Sequence, residues 1–257
     1  MGFYDLSKAG RVKKTEEIYL RISSAINEMN ESEVFDLFSD PDTYIRKACY
    51  EAVGKIYLKE KSKTEKITTF LEHLFSSQNE LVRQTVVNAA GEIAKYDFES
   101  VRGFFDAGIL DTHHKVRNAV IGSIKKAGQK NPGALIRWSE KHLSHPDKEV
   151  RRQICHGIEL RGRTHPEEIL PLLRALQNDS TARVRNTLIH VLGQIAYKEG
   201  CLEKVLNDLS TWENKVVVEK ALLEIEDVHH RYSDFAHYGV KEAEKIISGA
   251  RKKIFSF

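Results

Sequence analysis

The sequence has little of what marks a membrane-bound, disulfide-bonded or loop-rich protein. It contains five prolines and 15 glycines in 257 residues, and no apolar run approaches the roughly 18 residues that a membrane-spanning helix needs. Its cysteines are Cys49, Cys155 and Cys201, which are isolated, odd in number and without CxxC spacing. This usage argues against a disulfide framework or a cysteine-ligated zinc cluster, and it predicts a reducing, cytoplasmic location.

An excess of one charge is also missing. The 40 lysines and arginines are nearly balanced by 37 aspartates and glutamates, which gives a net charge of +3. This balance permits an acidic partner such as nucleic acid but does not require one. Charged residues at 30% and hydrophobic residues at 41% are typical of an ordered, water-soluble chain.

What the sequence does contain is a motif that recurs at a nearly constant spacing. In "HPDKEVRRQICHGIELR" and four similar stretches, an apolar residue is followed by arginine and then by an amphipathic pattern. These arginines are Arg46, Arg83, Arg117, Arg151 and Arg185, separated by 37, 34, 34 and 34 residues. A sixth copy has Val218 at the arginine position. A period of this length indicates stacked units of supersecondary structure.

Each unit divides into two amphipathic helices. The stretch before the motif, such as residues 165–178, begins with a proline suited to the first turn of a helix. After the motif, apolar residues fall three and four apart, as in Val184, Leu188 and Leu192. Glycines that follow their arginines by eight residues predict close contact between adjacent helices: Gly54, Gly91 and Gly193. The sequence therefore predicts an all-α fold, a right-handed α-α superhelix (α-solenoid) of about six helical hairpins.

The repeated aspartate, Val-Arg, apolar and Leu-Gly positions resemble HEAT repeats over about residues 32–226. The resemblance implies one repeat domain over residues 1–257, with capping helices at 15–29 and 239–255 that cover the open ends. It also implies that each motif arginine lies between layers and pairs with a turn aspartate of its own or a neighbouring repeat. The candidate aspartates are Asp40 or Asp42, Asp111, Asp147 and Asp179.

In HEAT-like stacks the second helix of each pair lines the concave face. Helical geometry then directs the positions one and five residues after the arginine toward that face. From these two rows we predict the binding residues Lys47, Gln84, Asn118, Arg152, Asn186, His156 and His190. Their cationic, amide and imidazole groups can hydrogen-bond phosphate or peptide equally well. The alternative is that they are ordinary solvated side chains.

Histidines form a further set of candidates. His156 and His190 hold equivalent positions in neighbouring repeats, which predicts neighbouring side chains and a proton-sensitive or ligand-binding pair. We expect no metal there, because the pair needs further ligands and no aspartate or glutamate is obvious beside it. The His-rich segment 229–238 is open to two interpretations, a packed linker or a metal or nucleotide-base site.

Residues 116–173 are similar to the bacterial DNA-alkylation-repair glycosylases of HEAT-like fold. The shared features are V-R, an apolar helix, N-P, a tryptophan, R-R and a histidine in the next helix. In that family the concave face grips duplex DNA, and an acidic residue with aromatics handles the damaged nucleotide. The acidic position falls on Lys126 and a tryptophan position on Gly122, so the resemblance implies DNA binding more than base excision.

These patterns predict a non-catalytic scaffold that binds a protein or a nucleic acid along its concave face. A DNA-binding protein related to the glycosylases is the alternative, and excision of alkylated bases is the enzymatic activity that it would carry. GxSxG, P-loop and GxGxxG motifs are missing from the sequence. We expect no cofactor, no metal, no membrane and no small-molecule substrate.

Overall fold

Helices make up the regular structure of the chain. A computed structural model describes residues 2–256, is 76% helical and contains no strand in that range. The chain divides into two compact units, the first ending at Leu135 and the second starting at Ile136. None of the described helices combines the length and the apolar character that crossing a membrane requires. The predicted all-α class is confirmed.

The first unit stacks helical hairpins beside an N-terminal helix. Its helices are α1 (Lys8–Glu28), α2 (Phe35–Phe38), α3 (Thr43–Lys59), α4 (Thr64–Phe75), α5 (Glu80–Ala94), α6 (Arg102–Gly108) and α7 (His114–Ala127). Short 3-10 turns lie at Phe3–Asp5, Glu31–Glu33, Lys61–Lys63 and Glu99–Val101. Helix α3 packs on α1 and α5, and α5 packs on α7, so the second helices of successive hairpins form one layer. Helix α1 starts at Lys8 rather than at residue 15, because Ser7 caps it by accepting the Gly10 N–H.

The second unit repeats this arrangement. Helix α8 (Pro132–His142) crosses the division and is followed by α9 (Lys148–Gly157), α10 (Glu159–Gly162), α11 (Pro166–Arg174), α12 (Ala182–Ala196), α13 (Leu202–Ser210), α14 (Lys215–Arg231) and α15 (Val240–Phe255). Helix α12 packs against α9 and α14, and α15 packs on α13 and α14. The predicted stack of helical hairpins, an α-solenoid, is confirmed.

The core between the helical layers begins at the residue before each arginine. Val82, Val116, Val150 and Val184 are each at most 1% exposed. The residues four and eight positions after these valines are also buried, as the apolar stripes in the sequence predict. Burial of an aliphatic side chain stabilises the fold by about 1.5–3 kcal/mol, so these stripes supply much of the contact between hairpins.

Side chains four positions before the arginines cap the second helices. Asp42, Asn79 and Asp147 each accept the backbone N–H of the residue two positions later, and His113 does so through its Nδ1. These contacts satisfy N–H groups that a helix leaves unpaired at its start. Asp147, a candidate partner for a motif arginine, therefore caps the start of its own helix α9.

Each motif arginine closes the turn that precedes its own helix. Its Nη1 donates to the backbone carbonyl six residues earlier in every copy that carries it: Arg46 to Asp40, Arg83 to Ser77, Arg117 to Asp111, Arg151 to His145 and Arg185 to Asp179. An arginine directly after a buried valine thus satisfies a carbonyl group at the tip of the hairpin. Apart from Arg46, these arginines are half-buried rather than buried.

Two of these arginines also bind the turn aspartate of the next repeat. Arg83 donates from Nε and Nη2 to the carboxylate of Asp111 at 2.7 and 3.0 Å, and Arg151 pairs in the same way with Asp179 at 2.6 and 3.1 Å. Burial alone raises the pKa of Asp179, but Arg151 and the Thr181 N–H outweigh it and lower the pKa below its usual value. Pairing with a neighbouring repeat is confirmed at these two arginines.

The other arginines depart from that prediction. Arg117 and Arg185 reach a turn aspartate only through its backbone carbonyl. The reason lies in the sequence, because the residue 28 positions after each of them is His145 or Glu213 instead of aspartate. An ion pair between an arginine and the next repeat therefore forms where that repeat has an aspartate six residues before its own motif arginine.

The recurring glycines let neighbouring second helices approach one another. A Cβ on Gly54 would lie 2.7 Å from the Cβ of Glu92, and a Cβ on Gly91 would lie 2.6 Å from that of Ser123. A Cβ on Gly193 would come equally close to α14. These distances are shorter than van der Waals contact permits, so the predicted close approach is confirmed.

Candidate binding groove on helices α9 and α12

Four of the predicted binding residues line one groove in the second unit. The groove is open to solvent and has a volume of about 440 Å³. Its lining residues are Arg152 and His156 of α9 and Arg183, Asn186, Thr187 and His190 of α12. Every one of these side chains carries a hydrogen-bonding group, which suits the groove to polar partner groups.

Helical periodicity explains why these side chains share a face. Arg152 and His156 lie four residues apart on α9, and Asn186 and His190 are spaced in the same way on α12. Residues three or four apart are neighbours on the surface of a helix. Because α9 and α12 pack against each other, the two rows border the same groove.

The two groove arginines share one carboxylate. Arg152 Nε donates to Glu149 Oε2 at 3.0 Å, and Arg183 Nη1 lies 3.1 Å from Glu149 Oε1. The Arg183 side chain is 65% exposed, whereas that of Arg152 is 20% exposed. The cations are partly neutralised, so the groove presents mixed charge instead of a continuous positive strip.

The two histidines lie side by side in the groove. Their ring centroids are 6.3 Å apart, and the rings meet at 69°. His156 Nε2 lies 3.2 Å from Glu159 Oε2, and His190 Nδ1 lies 3.5 Å from Glu224 Oε1. The expectation that no acid stands beside the pair is therefore wrong, because each imidazole faces a carboxylate.

Glu159 occupies the position that is glycine in three other repeats, eight residues after the motif arginine. Helix α9 ends at Gly157 and the short α10 begins at Glu159, so the regular helix is interrupted where this side chain lies. The Glu159 side chain is 4% exposed. Arg163 Nη2 donates to its Oε1 at 2.5 Å and to Gln194 Oε1 at 2.7 Å. This contact offsets the several kcal/mol that desolvation of a buried carboxylate costs.

The other three predicted binding residues belong to the first unit, on α3, α5 and α7. Lys47 is exposed and lies 3.7 Å from Glu51, and Asn118 is exposed. Gln84 is half-buried, and its Oε1 has no hydrogen-bond partner among the described residues. These three residues do not line the groove on α9 and α12.

Residues 229–238 do not gather their histidines at one point. His229 lies on α14, is 1% exposed, and places its Nδ1 2.8 Å from the carbonyl oxygen of Ile225. His230 Nε2 instead lies 2.9 Å from Glu244 on α15. Histidines directed at different helices favour the packed-linker interpretation of this segment.

The prediction from the sequence missed three residues at the groove: Arg183, Thr187 and Glu159. Arg183 precedes Asn186 by three residues, and Glu159 follows His156 by three, so each shares a helix face with a predicted residue. Extending each predicted row of residues by three positions in both directions would have included Arg183 and Glu159. Thr187 could be found only from the packing of α12.

Comparison with protein families identifies the repeats. The family model described as HEAT repeats matches residues 136–222, a range that includes both helices of the groove. Residues 136–222 are HEAT repeats. A comparison of the chain with curated protein sequences finds no match.

Solved structures share the fold of this chain at low sequence identity. The structure of smu.31 from Streptococcus mutans UA159 has 18% identity and a TM-score of 0.51, covering 66% of this chain and 90% of that one. AlkD2 from Streptococcus mutans has 18% identity and a TM-score of 0.54, covering 82% and 99%. A chain of the Pds5–Scc1 complex has 15% identity and a TM-score of 0.54, covering 91% of this chain and 40% of that chain. Similarity at this level establishes the fold alone.

Proposed function

We propose that this HEAT-repeat protein is a non-catalytic scaffold that binds a segment of another protein in the groove on α9 and α12. The observation that supports the proposal most directly is the mixed polar lining of the groove. A polypeptide presents backbone N–H and C=O groups together with side chains of both charges. The groove offers donors and acceptors for the backbone groups and cations for the acidic side chains, a mixture that phosphate recognition alone does not require.

Individual lining residues suit this partner. Asn186 is exposed and its amide both donates and accepts, so it can pair with a peptide group. Arg183 is the most exposed cation of the groove at 65% and can bind a carboxylate of the partner. The buried thiols Cys49, Cys155 and Cys201, which form no disulfide among the described residues, support the cytoplasm as the location of the scaffold.

DNA binding is the second candidate. It is supported by the resemblance of residues 116–173 to the alkylation-repair glycosylases and by the shared fold of AlkD2, which belongs to the AlkD-like group. Two features weigh against it. Glu149 partly neutralises both groove arginines, and Lys126 stands at the acidic position with its Nζ 5.2 Å from the centre of the Tyr50 ring.

The proposal is tested by selecting peptides from a displayed library on the folded protein. The selection is repeated on the double variant Arg152→Ala/Asn186→Ala and on a control, Asn207→Ala/Lys220→Ala, which removes an exposed amide and an exposed cation outside the groove. We expect selected peptides to bind the wild type and the control one to one. Their affinity for the groove variant should fall at least about tenfold, or 1.4 kcal/mol.

Equal binding of the selected peptides to the wild type and to the groove variant would reject the groove as their site. If no peptide is enriched and duplex DNA binds the wild type but not the groove variant, the second candidate replaces the first.

A further inference from the structure

We propose that His156, Glu159 and His190 bind a zinc ion at the groove. One ring nitrogen of each histidine and one carboxylate oxygen of Glu159 lie within 4.8 Å of one another. Imidazole nitrogens and carboxylate oxygens are the ligands of three-residue zinc sites, in which a fourth position stays open. The inference does not rest on the proposed partner, because zinc binding is measured without it.

Two of the ligand atoms already have the spacing of a zinc site. Zinc–nitrogen and zinc–oxygen distances are about 2.0–2.2 Å, so adjacent ligand atoms of a tetrahedral site lie roughly 3.3 Å apart. His156 Nε2 and Glu159 Oε2 are 3.2 Å apart. His190 completes the set through a small rotation of its side chain, which is 45% exposed.

Neighbouring side chains orient the ligands. Arg163 donates to Glu159 Oε1 and is itself bonded to Gln194, which leaves Oε2 directed at His156. Glu224 Oε1 lies 3.5 Å from His190 Nδ1 and can accept its N–H. Metal-binding histidines usually donate their second ring nitrogen to such a carboxylate, which fixes the ring orientation.

The buried position of Glu159 fits this role. Other repeats place glycine at the same position, where the second helices come closest together. The Arg163 ion pair at Oε1 offsets the desolvation cost of this carboxylate. A cation held at Oε2 would stabilise the same charge further.

The fourth coordination position would face the groove. Arg152 and Arg183 border the same space, and their charges favour an anionic ligand there. The site therefore takes a zinc ion together with a water molecule or a carboxylate group of whatever occupies the groove.

Zinc binding to the full chain, first treated with a chelator, is measured by competition with a chromophoric indicator. Cobalt substitution then reports the coordination geometry through its visible spectrum. We expect one equivalent of zinc and a tetrahedral cobalt spectrum, both lost in His156→Gln and in His190→Gln. Glu224→Gln should weaken zinc binding about 10–100-fold, as is usual for a carboxylate that orients a ligand.

Matched controls separate this site from other histidines, of which the chain has 11 in all. His165→Gln lies outside the site and should keep the same zinc stoichiometry as the wild type. Because His190 is on the surface, His190→Gln should retain its fold and melting temperature. Unchanged zinc affinity in His190→Gln, or no stoichiometric zinc binding by the wild type, would overturn the proposal.

The proposals of a zinc site and of a peptide-binding groove are tested independently. Arg152→Ala/Asn186→Ala should lose peptide affinity and retain zinc, since neither residue is a ligand. Loss of zinc binding in that variant would contradict the assigned ligand set, whatever its effect on peptides.

Discussion

Arg151 and Asp179 join two consecutive repeats through a two-bond ion pair. Arg151 Nε donates to Asp179 Oδ2 at 2.6 Å and its Nη2 donates to Oδ1 at 3.1 Å. The Nη1 of the same guanidinium donates to the carbonyl oxygen of His145 at 2.7 Å. Asp179 also accepts the Thr181 N–H at 2.8 Å. Arg151 therefore links the turn before its own helix to the turn of the next repeat.

We predict that Arg151→Ala lowers the free energy of unfolding by about 2–3 kcal/mol, because it leaves the Asp179 carboxylate, only 5% exposed, without its cation. Arg185→Ala is the matched control. Arg185 bonds a backbone carbonyl and forms no ion pair within the described residues, so its loss should cost about 1 kcal/mol. Denaturant unfolding of both variants checks the difference, and equal losses would refute the role given to the carboxylate.

Gly91→Ala should destabilise the protein by about 1–3 kcal/mol, because its new Cβ would lie 2.6 Å from the Cβ of buried Ser123 and force α5 and α7 apart. Gly122→Ala provides the opposite case, since nothing in the described part of the chain lies within 4 Å of its Cβ. That change should stabilise α7 by about 0.5–1 kcal/mol through helix propensity. Thermal melts that shift both variants in the same direction would contradict the close approach.

His229 predicts a loss of stability in mild acid. Burial lowers the pKa of His229 below its usual value of about 6.5. A histidine whose pKa is lowered by folding contributes stability that is complete above the unfolded pKa and declines as the pH falls through it. The free energy of unfolding should therefore decrease below about pH 6.5, and less steeply in His229→Leu. His237→Gln, at an exposed position, should retain the wild-type slope; an unchanged slope in His229→Leu would exclude this residue as the cause.

Arg152 and Lys47 are expected to contribute little to folding. Their contacts with Glu149 and Glu51 lie on the surface of their helices, where such pairs contribute about 0.2–1 kcal/mol. Arg152→Ala/Lys47→Ala should therefore unfold within about 1 kcal/mol of the wild type. A loss as large as that of Arg151→Ala would show that the side chains are structural.

Much of the fold can be predicted from the sequence because its repeats encode contacts that recur. Val150, Val184 and their equivalents are buried in every copy, and the glycines eight positions after the arginines meet the next helix as predicted. Which arginines pair with a carboxylate in addition to the backbone carbonyl was harder to predict from the sequence. It depends on the residue 28 positions later, as the contrast between Arg151 and Arg185 shows.

The groove could be predicted only in part, for a related reason. Arg152, His156, Asn186 and His190 follow from helix geometry and repeat alignment. Glu159 breaks the repeat, and an alignment that assigns its position to glycine gives no indication of a carboxylate there. Its spacing of three residues from His156 was the remaining signal, because residues three apart share a helix face.

The salt dependence of binding in the groove tests the central claim most directly. A peptide selected on the wild type and a DNA duplex are each titrated at 50 and 200 mM salt, with Arg152→Ala/Asn186→Ala as the groove variant. A protein that makes six to ten phosphate contacts loses roughly 10³–10⁵ in affinity over this range. The account predicts that peptide affinity changes by less than about tenfold with salt and is lost in the groove variant. Duplex binding that is tighter than peptide binding, falls steeply with salt and disappears in the groove variant would contradict it.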